Sequence, residues 1–219
     1  MPPSPGHSAR VRAEIFQHAA RLFRLRGYAG TNIDDIMLAA GLTRGSFYAH
    51  FKSKEELFAQ VVGSGQGLLW KLRSADAELL AVLDAYLAKK ELAATAQDCS
   101  LAALPGDVAR GPLAGQVAYA NVLQAVIGEM ASGRRRKLDP DATAAAILAI
   151  GAVSLARASG DRRLSDWLLR CARLAARSLL RPKPKPRRAS RARPPARSRR
   201  KAARGRRPKR AARSRGGRA

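Results

Sequence analysis

Residues Gly27 to Phe58 read GYAGTNIDDIMLAAGLTRGSFYAHFKSKEELF. Ile33, Ile36, Met37 and Ala40 recur at the spacing of one helical face. Thr31 and Asn32 precede that face and are both able to cap it. Gly41-Leu42 breaks the pattern, and Thr43 is a second N-cap candidate for a helix over Arg44 to Phe51. Phe47 and Phe51, one helical turn apart, supply its buried side, while Arg44, Ser46, Tyr48 and His50 lie on the other. Two short helices joined by a glycine turn form a helix-turn-helix, whose second helix suits the major groove of DNA.

Working outward, the pattern continues on both sides. Ile15, Ala19, Leu22-Phe23 and Gly27-Tyr28 precede it, and Thr31, Ile36, Ala40-Gly41, Gly45, Tyr48, His50-Phe51, Lys54 and Leu57 complete it. With these residues, Arg10 to Leu57 resembles the DNA-binding domain of the tetracycline-repressor (TetR) family. The likeness is dense over this stretch, and a lone helix-turn-helix would be a much weaker signal. It implies an all-α chain with a three-helix DNA-binding domain at 9–62 and a helical ligand-sensing and dimerisation domain at 63–180. It also implies that Tyr48, His50 and Lys54 contact phosphates, and that Thr31 and Thr43 do so at helix N-termini. For His50 a capping or packing role is the open alternative. The chemistry of the side chains adds Arg44, able to grip guanine O6 and N7, and Ser46, short enough for a base edge or a phosphate. Gly45 removes bulk so that the helix backbone can come close.

Charge is unevenly spread over the 219 residues and net +26. Of 42 Lys and Arg, 19 lie in 181–219, which contains no acid; residues 1–180 hold 23 basic and 16 acidic side chains, net +7. That final stretch has no apolar residue larger than alanine, so its composition predicts a disordered basic tail. It looks like the tails of linker histones and departs from the resembled family, whose chains mostly stop near the last helix. Arg204-Gly205-Arg206-Arg207-Pro208 is a weak near-match to an AT-hook core. Residues 1–8, rich in proline, are expected to form a disordered arm. Two cysteines are too few for a disulfide scaffold. No uninterrupted apolar run has the length of a membrane span, and the start lacks the apolar stretch of a signal peptide. A cytoplasmic, nucleoid-associated protein without a membrane span is expected.

The first helix is expected from about Ser8 or Ala9 to Arg26, buried through Val11, Ile15, Ala19 and Leu22 and ended by Gly27. Arg21 and Arg24 read as a solvated face; Arg10 and Arg12 are placed to reach phosphate or the minor groove. Ser53 and Glu56 form a capping box for a helix from Lys54. Gly63, Gly65 and Gly67 then leave two readings, a hinge or a plain helix end with a new helix at Leu68. Further helices are expected over Asp76 to Lys90, Leu113 to Met130, from Asp139-Pro140 to about Ser159, and from Asp161 to Leu180. A basic loop, 132–137, precedes the last two. The stripe expected on the final helix is Leu164, Trp167, Leu168, Cys171, Leu174, Ala175 and Ser178.

By resemblance, the helices at about 140–180 form a homodimer as a four-helix bundle; their stripes serve that interface, the chain's own core, or both. A small-molecule inducer is implied inside the helical domain. Trp70, Tyr86, Cys99, Tyr119, Asn121 and Gln124 are candidates for its pocket, with ordinary packing or surface as the alternative for each. Cys99 has polar neighbours and is open to reading as a reactive thiol, against which its neighbour Asp98 argues; Cys171 reads as core. No cofactor or metal is expected: the three histidines form no helical ligand pair, and Gly63-Ser64-Gly65-Gln66-Gly67 lacks the Lys-Ser/Thr of a phosphate loop. An enzyme is therefore not expected. The favoured function is a dimeric regulator, a repressor released from a double-stranded, inverted-repeat operator. The rival is an architectural DNA binder dominated by its tail, for which RNA, polyphosphate or anionic membrane are alternative partners.

Overall fold

A computed structural model describes residues 5–74, 78–88, 99–131 and 139–181, and every element among them is helical. The expected arm at 1–4, the loop at 132–137 and the tail beyond Arg181 lie outside these residues.

Four helices make the N-terminal head: α1 (Pro5–Arg26), α2 (Ile33–Ala39), α3 (Arg44–Phe47) and α4 (Lys54–Gly63). α1 begins at Pro5, earlier than its apolar stripe suggests, so residues 5–8 are helical rather than part of an arm. Proline is at home in a first turn, where its missing N–H has no partner to lose. Asn32 caps α2: its side chain accepts from Asp35 N at 2.7 Å, and Asp35 returns a bond to Asn32 N. Ser53 caps α4 through Glu56 N at 3.1 Å. α3 ends at Phe47, shorter than the apolar spacing implies, and a turn carries the chain to buried Phe51. Phe23, Phe47, Phe51 and Phe58 close the head core with Ile15, Ile36, Met37 and Leu57. Phe23 meets Phe58 edge-on at 5.1 Å.

The glycine run is a helix end. α4 stops at Gly63, Gly65 and Gly67 take φ of +66° and +95°, and α5 (Leu68–Ser74) follows. At Gly67 a Cβ would stand 2.4 Å from the Cys99 Cα, so the turn is pressed against the segment opening α7.

The body consists of α5, α6 (Leu79–Leu87), α7 (Ser100–Ala103), α8 (Pro105–Arg110), α9 (Leu113–Met130), α10 (Pro140–Ala158) and α11 (Arg162–Leu180). α6 covers the middle of the expected 76–90 helix; 75–77 and 89–98 are outside the described residues. α9 crosses α4 closely: a Cβ at Gly115 would lie 2.8 Å from Phe58, and one at Gly63 3.5 Å from Ala118. Asp139 caps α10 through Ala142 N at 2.9 Å, and Asp161 caps α11 through Arg163 N and Leu164 N. Gly160, at φ +63°, makes the turn between them. α10 buries Ala142, Ala145, Ala146, Ala149, Ala152 and Ala156, small side chains that admit a close partner helix.

α10 is long and apolar enough to cross a membrane by length and composition, a test that core helices also pass, and one of its faces is core. Two expectations change here. The core face of α11 is Ser165, Leu169, Ala172, Ala176 and Leu180, not the larger stripe expected. Leu164, Trp167, Cys171 and Leu174 lie outside it and are exposed, Trp167 at 59%. Cys171 is therefore a surface thiol, and Cys99 is the buried one. Finally, Arg24 is buried, with Nη1 donating to Ser100 Oγ at 3.1 Å, so it belongs to the junction of head and body rather than to a solvated face.

Candidate nucleic-acid interface

The outer surface of the head is set by what its core consumes. Phe47 is fully buried, so α3 turns Arg44, Gly45 and Tyr48 to solvent, with Ala49 and Lys52 following. Tyr48 rests edge-on against Phe47 at 5.3 Å and is 57% exposed, so the ring is packed on one side and open to solvent on the rest. Nothing lies within 4 Å of a Cβ built on Gly45, so its lack of a side chain answers no need inside the protein. Thr43 occupies the N-cap position of α3 without a side-chain capping bond and is exposed. Ser46 is half-buried, and its Oγ donates to Thr43 O at 2.7 Å.

Arg44 is not free-standing. Its Nη1 donates to Asp34 Oδ2, and both side chains are 58% exposed. Asp34 stands in the first turn of α2, ten residues ahead of Arg44.

Three expected contact residues are placed differently. Thr31 is fully buried and its Oγ1 donates to Gly27 O at 2.9 Å, tying α2 to the end of α1. Lys54 is half-buried; Nζ donates to Tyr28 O at 3.1 Å and Thr31 O at 3.0 Å and lies 4.1 Å over the Tyr28 ring. Both side chains hold the head together instead of facing outward. Arg12 likewise turns inward: it donates to His50 O and to Gln60 Oε1 at 2.6 Å, and its guanidinium lies 4.1 Å over Phe51. His50 is half-buried, its backbone held by Arg12. Arg10 remains exposed beside Glu14, 3.9 Å away.

Sequence reading overlooked Lys52 and Asp34. Lys52 is exposed directly after Phe51, and its N–H, one residue ahead of the Ser53 cap, donates to Glu56 Oε2 at 2.7 Å, so the expected reciprocal bond of the α4 box is made by Lys52 and not by Ser53. The signal for Asp34 was there: Asn32 and Asp35 suffice for the cap, which leaves one carboxylate without a capping task.

The six pocket candidates do not converge. Trp70, Asn121 and Gln124 are exposed. Tyr86, Cys99 and Tyr119 belong to the body core. Tyr119 Oη donates to Leu101 O at 2.8 Å; burial, then the Cys99 thiol, push its pKa above the ordinary value. Among the described residues no cluster of His, Cys, Asp and Glu could hold a metal ion.

A closed helical head with a short, outward second helix, set on a helical body, defines a helix-turn-helix protein. Residues 15–61 match the family described as bacterial regulatory proteins, tetR family. That match lies within the head. It is 43% identical over 61 residues to the HTH-type transcriptional repressor KstR2 of Mycolicibacterium smegmatis, covering 28% of this chain and 30% of that one. The matched stretch thus spans less than a third of that relative. The fold as a whole is similar to reduced NemR of E. coli (TM-score 0.63, 21% identity, 77% of this chain and 96% of that one). It is similar, too, to a TetR-family transcriptional regulator of Agrobacterium tumefaciens (TM-score 0.61, 22% identity, 76% and 97%). At such identities the likeness concerns the fold alone.

Proposed function

We propose that this chain is a sequence-specific, DNA-binding transcriptional regulator, not an enzyme, acting in the cytoplasm as a dimeric repressor on an inverted repeat. The observation that carries the reading is the outward face of α3, where Arg44, Gly45 and Tyr48 stand exposed over a head core closed by Phe47 and Phe51. Arg44 reads guanine, Gly45 permits close approach, and Tyr48, Thr43 and Ser46 bind phosphate or base edges, with His50 and Lys52 at the margin. Thr31 and Lys54 support this face from within.

One head reads only a few base pairs, so two are required, about 34–36 Å apart or a multiple of that. The second head comes from a second copy of the chain. α10 shows solvent Ile147, Leu155 and Ala158, and α11 adds Leu164, Trp167, Cys171 and Leu174. Exposed apolar side chains on two adjacent helices suit a self-complementary interface. The small-molecule inducer binds in the body, and Tyr86, Cys99 and Tyr119 are the candidates already gathered in one core. An inducer releases DNA only by binding the released conformation more tightly.

The basic tail is an electrostatic assistant without base readout. Each neutralised phosphate contributes about −0.9 to the log–log salt slope, so engagement of about eight of the 19 basic residues steepens it by about 7. Footprinting on the DNA flanking the chain's own gene tests the reading. Protection of a discrete inverted repeat is expected; even coating of every fragment would contradict it and favour an architectural binder.

A further inference from the structure

We infer that Asp34 is a positioning residue for base readout, acting through Arg44; this rests on the DNA-reading function proposed above. Two observations and one energetic argument lead there. The α2 cap is complete without Asp34, since Asn32 and Asp35 exchange both bonds of the box, and Asp35 also lies 3.7 Å from Arg26. Asp34 is instead joined to Arg44 across the helix-turn-helix, the two side chains equally exposed. An exposed ion pair adds little to folding.

A carboxylate on a DNA-facing surface also carries a cost, because it repels phosphate. Its presence is accounted for by what it does to Arg44. A guanidinium is a planar fork whose value for guanine lies in its orientation. A free arginine must be ordered when it binds, and holding it beforehand lowers that cost. Asp34 accepts from Nη1 and leaves Nη2 and Nε to turn toward O6 and N7, while its charge draws Arg44 away from neighbouring phosphates. Asp34 thereby exchanges general affinity for discrimination at one base pair.

The test uses the full chain. Wild type, Asp34→Asn, Arg44→Ala and the double variant are run against single-base variants of the site that wild type selects, and against an unrelated duplex. Asp34→Asn is expected to lower discrimination at the Arg44-read pair by roughly 3- to 10-fold, part of what a bidentate arginine contributes. Discrimination elsewhere stays unchanged, and binding to the unrelated duplex becomes tighter. In the Arg44→Ala background, Asp34→Asn leaves discrimination where Arg44→Ala alone puts it. Unchanged discrimination in Asp34→Asn, or an equal loss at every position, overturns the inference while leaving the DNA-reading proposal intact. Absence of base preference in the wild type overturns both.

Discussion

The Tyr28 backbone N–H donates to Asp107 Oδ1 at 2.8 Å, so the end of α1 is bound to α8. Gly27, at φ +76°, fits beneath the same carboxylate: a Cβ there would lie 2.3 Å from Asp107 Oδ1. With the buried Arg24–Ser100 bond, this makes α7 and α8 the bracket that holds the head to the body. Leu104 and Val108 carry that bracket into the head core.

Gly27→Ala therefore bears two costs, a left-handed backbone of about 1–2 kcal/mol and the displaced Asp107. We expect a total loss of about 2–4 kcal/mol by chemical denaturation. In an Asp107→Ala background the same change should cost only the backbone share. Equal costs in both backgrounds would show that the Gly27–Asp107 contact is not made in solution.

Lys54 separates a structural from a phosphate role. Its two carbonyl acceptors and its place over Tyr28 predict that Lys54→Met loses about 1–3 kcal/mol of stability. The salt slope of DNA binding should stay the same. Unchanged stability with a slope shallower by about 0.9 would return Lys54 to the phosphate backbone.

Trp167 tests the dimer face. Being 59% exposed, it can be replaced without opening the core. Trp167→Asp should yield a folded monomer by sedimentation, with far-UV spectrum retained and binding to the inverted repeat reduced to that of a half-site. A dimer that persists would place the interface elsewhere.

Tyr119 gives the fold an alkaline limit. Burial, then the Cys99 thiol, raise its folded-state pKa above the unfolded value of about 10. Its contribution is fully present below that pH and is lost as pH rises through the folded value. Tyr28 is raised too, by burial and then by Glu55, so it adds to the same slope. Tyr119→Phe should therefore flatten the fall in stability as pH rises above about 10, without abolishing it. An unchanged slope would mean that the phenol is open to water.

Local signals carried most of the fold. The periodic apolar face of α2, the Asp139-Pro140 start of α10 and the Asp161 start of α11 are statements about neighbouring residues, and the structure repeats them. α11 was harder because periodicity reports an apolar face but not which neighbour covers it. Its core side is mostly small, Ser165, Ala172 and Ala176, while its larger residues face out. Arg12, Arg24 and Lys54 were misplaced for another reason. Their partners, His50, Ser100 and Tyr28, are distant in sequence, and a charged side chain gives no local sign that it will be spent on a backbone carbonyl or a buried hydroxyl. Asp34 was missed because first-turn acids are ordinary in helices.

The central claim is that the folded helices, not the tail, choose the DNA site. Selection of genome fragments followed by sequencing, on the full chain and on residues 1–181 in parallel, tests it most directly. The account predicts that both enrich the same inverted repeat, with the shorter chain binding less tightly and with a shallower salt dependence. Enrichment of nothing by residues 1–181, with binding of every fragment by the full chain, would contradict it.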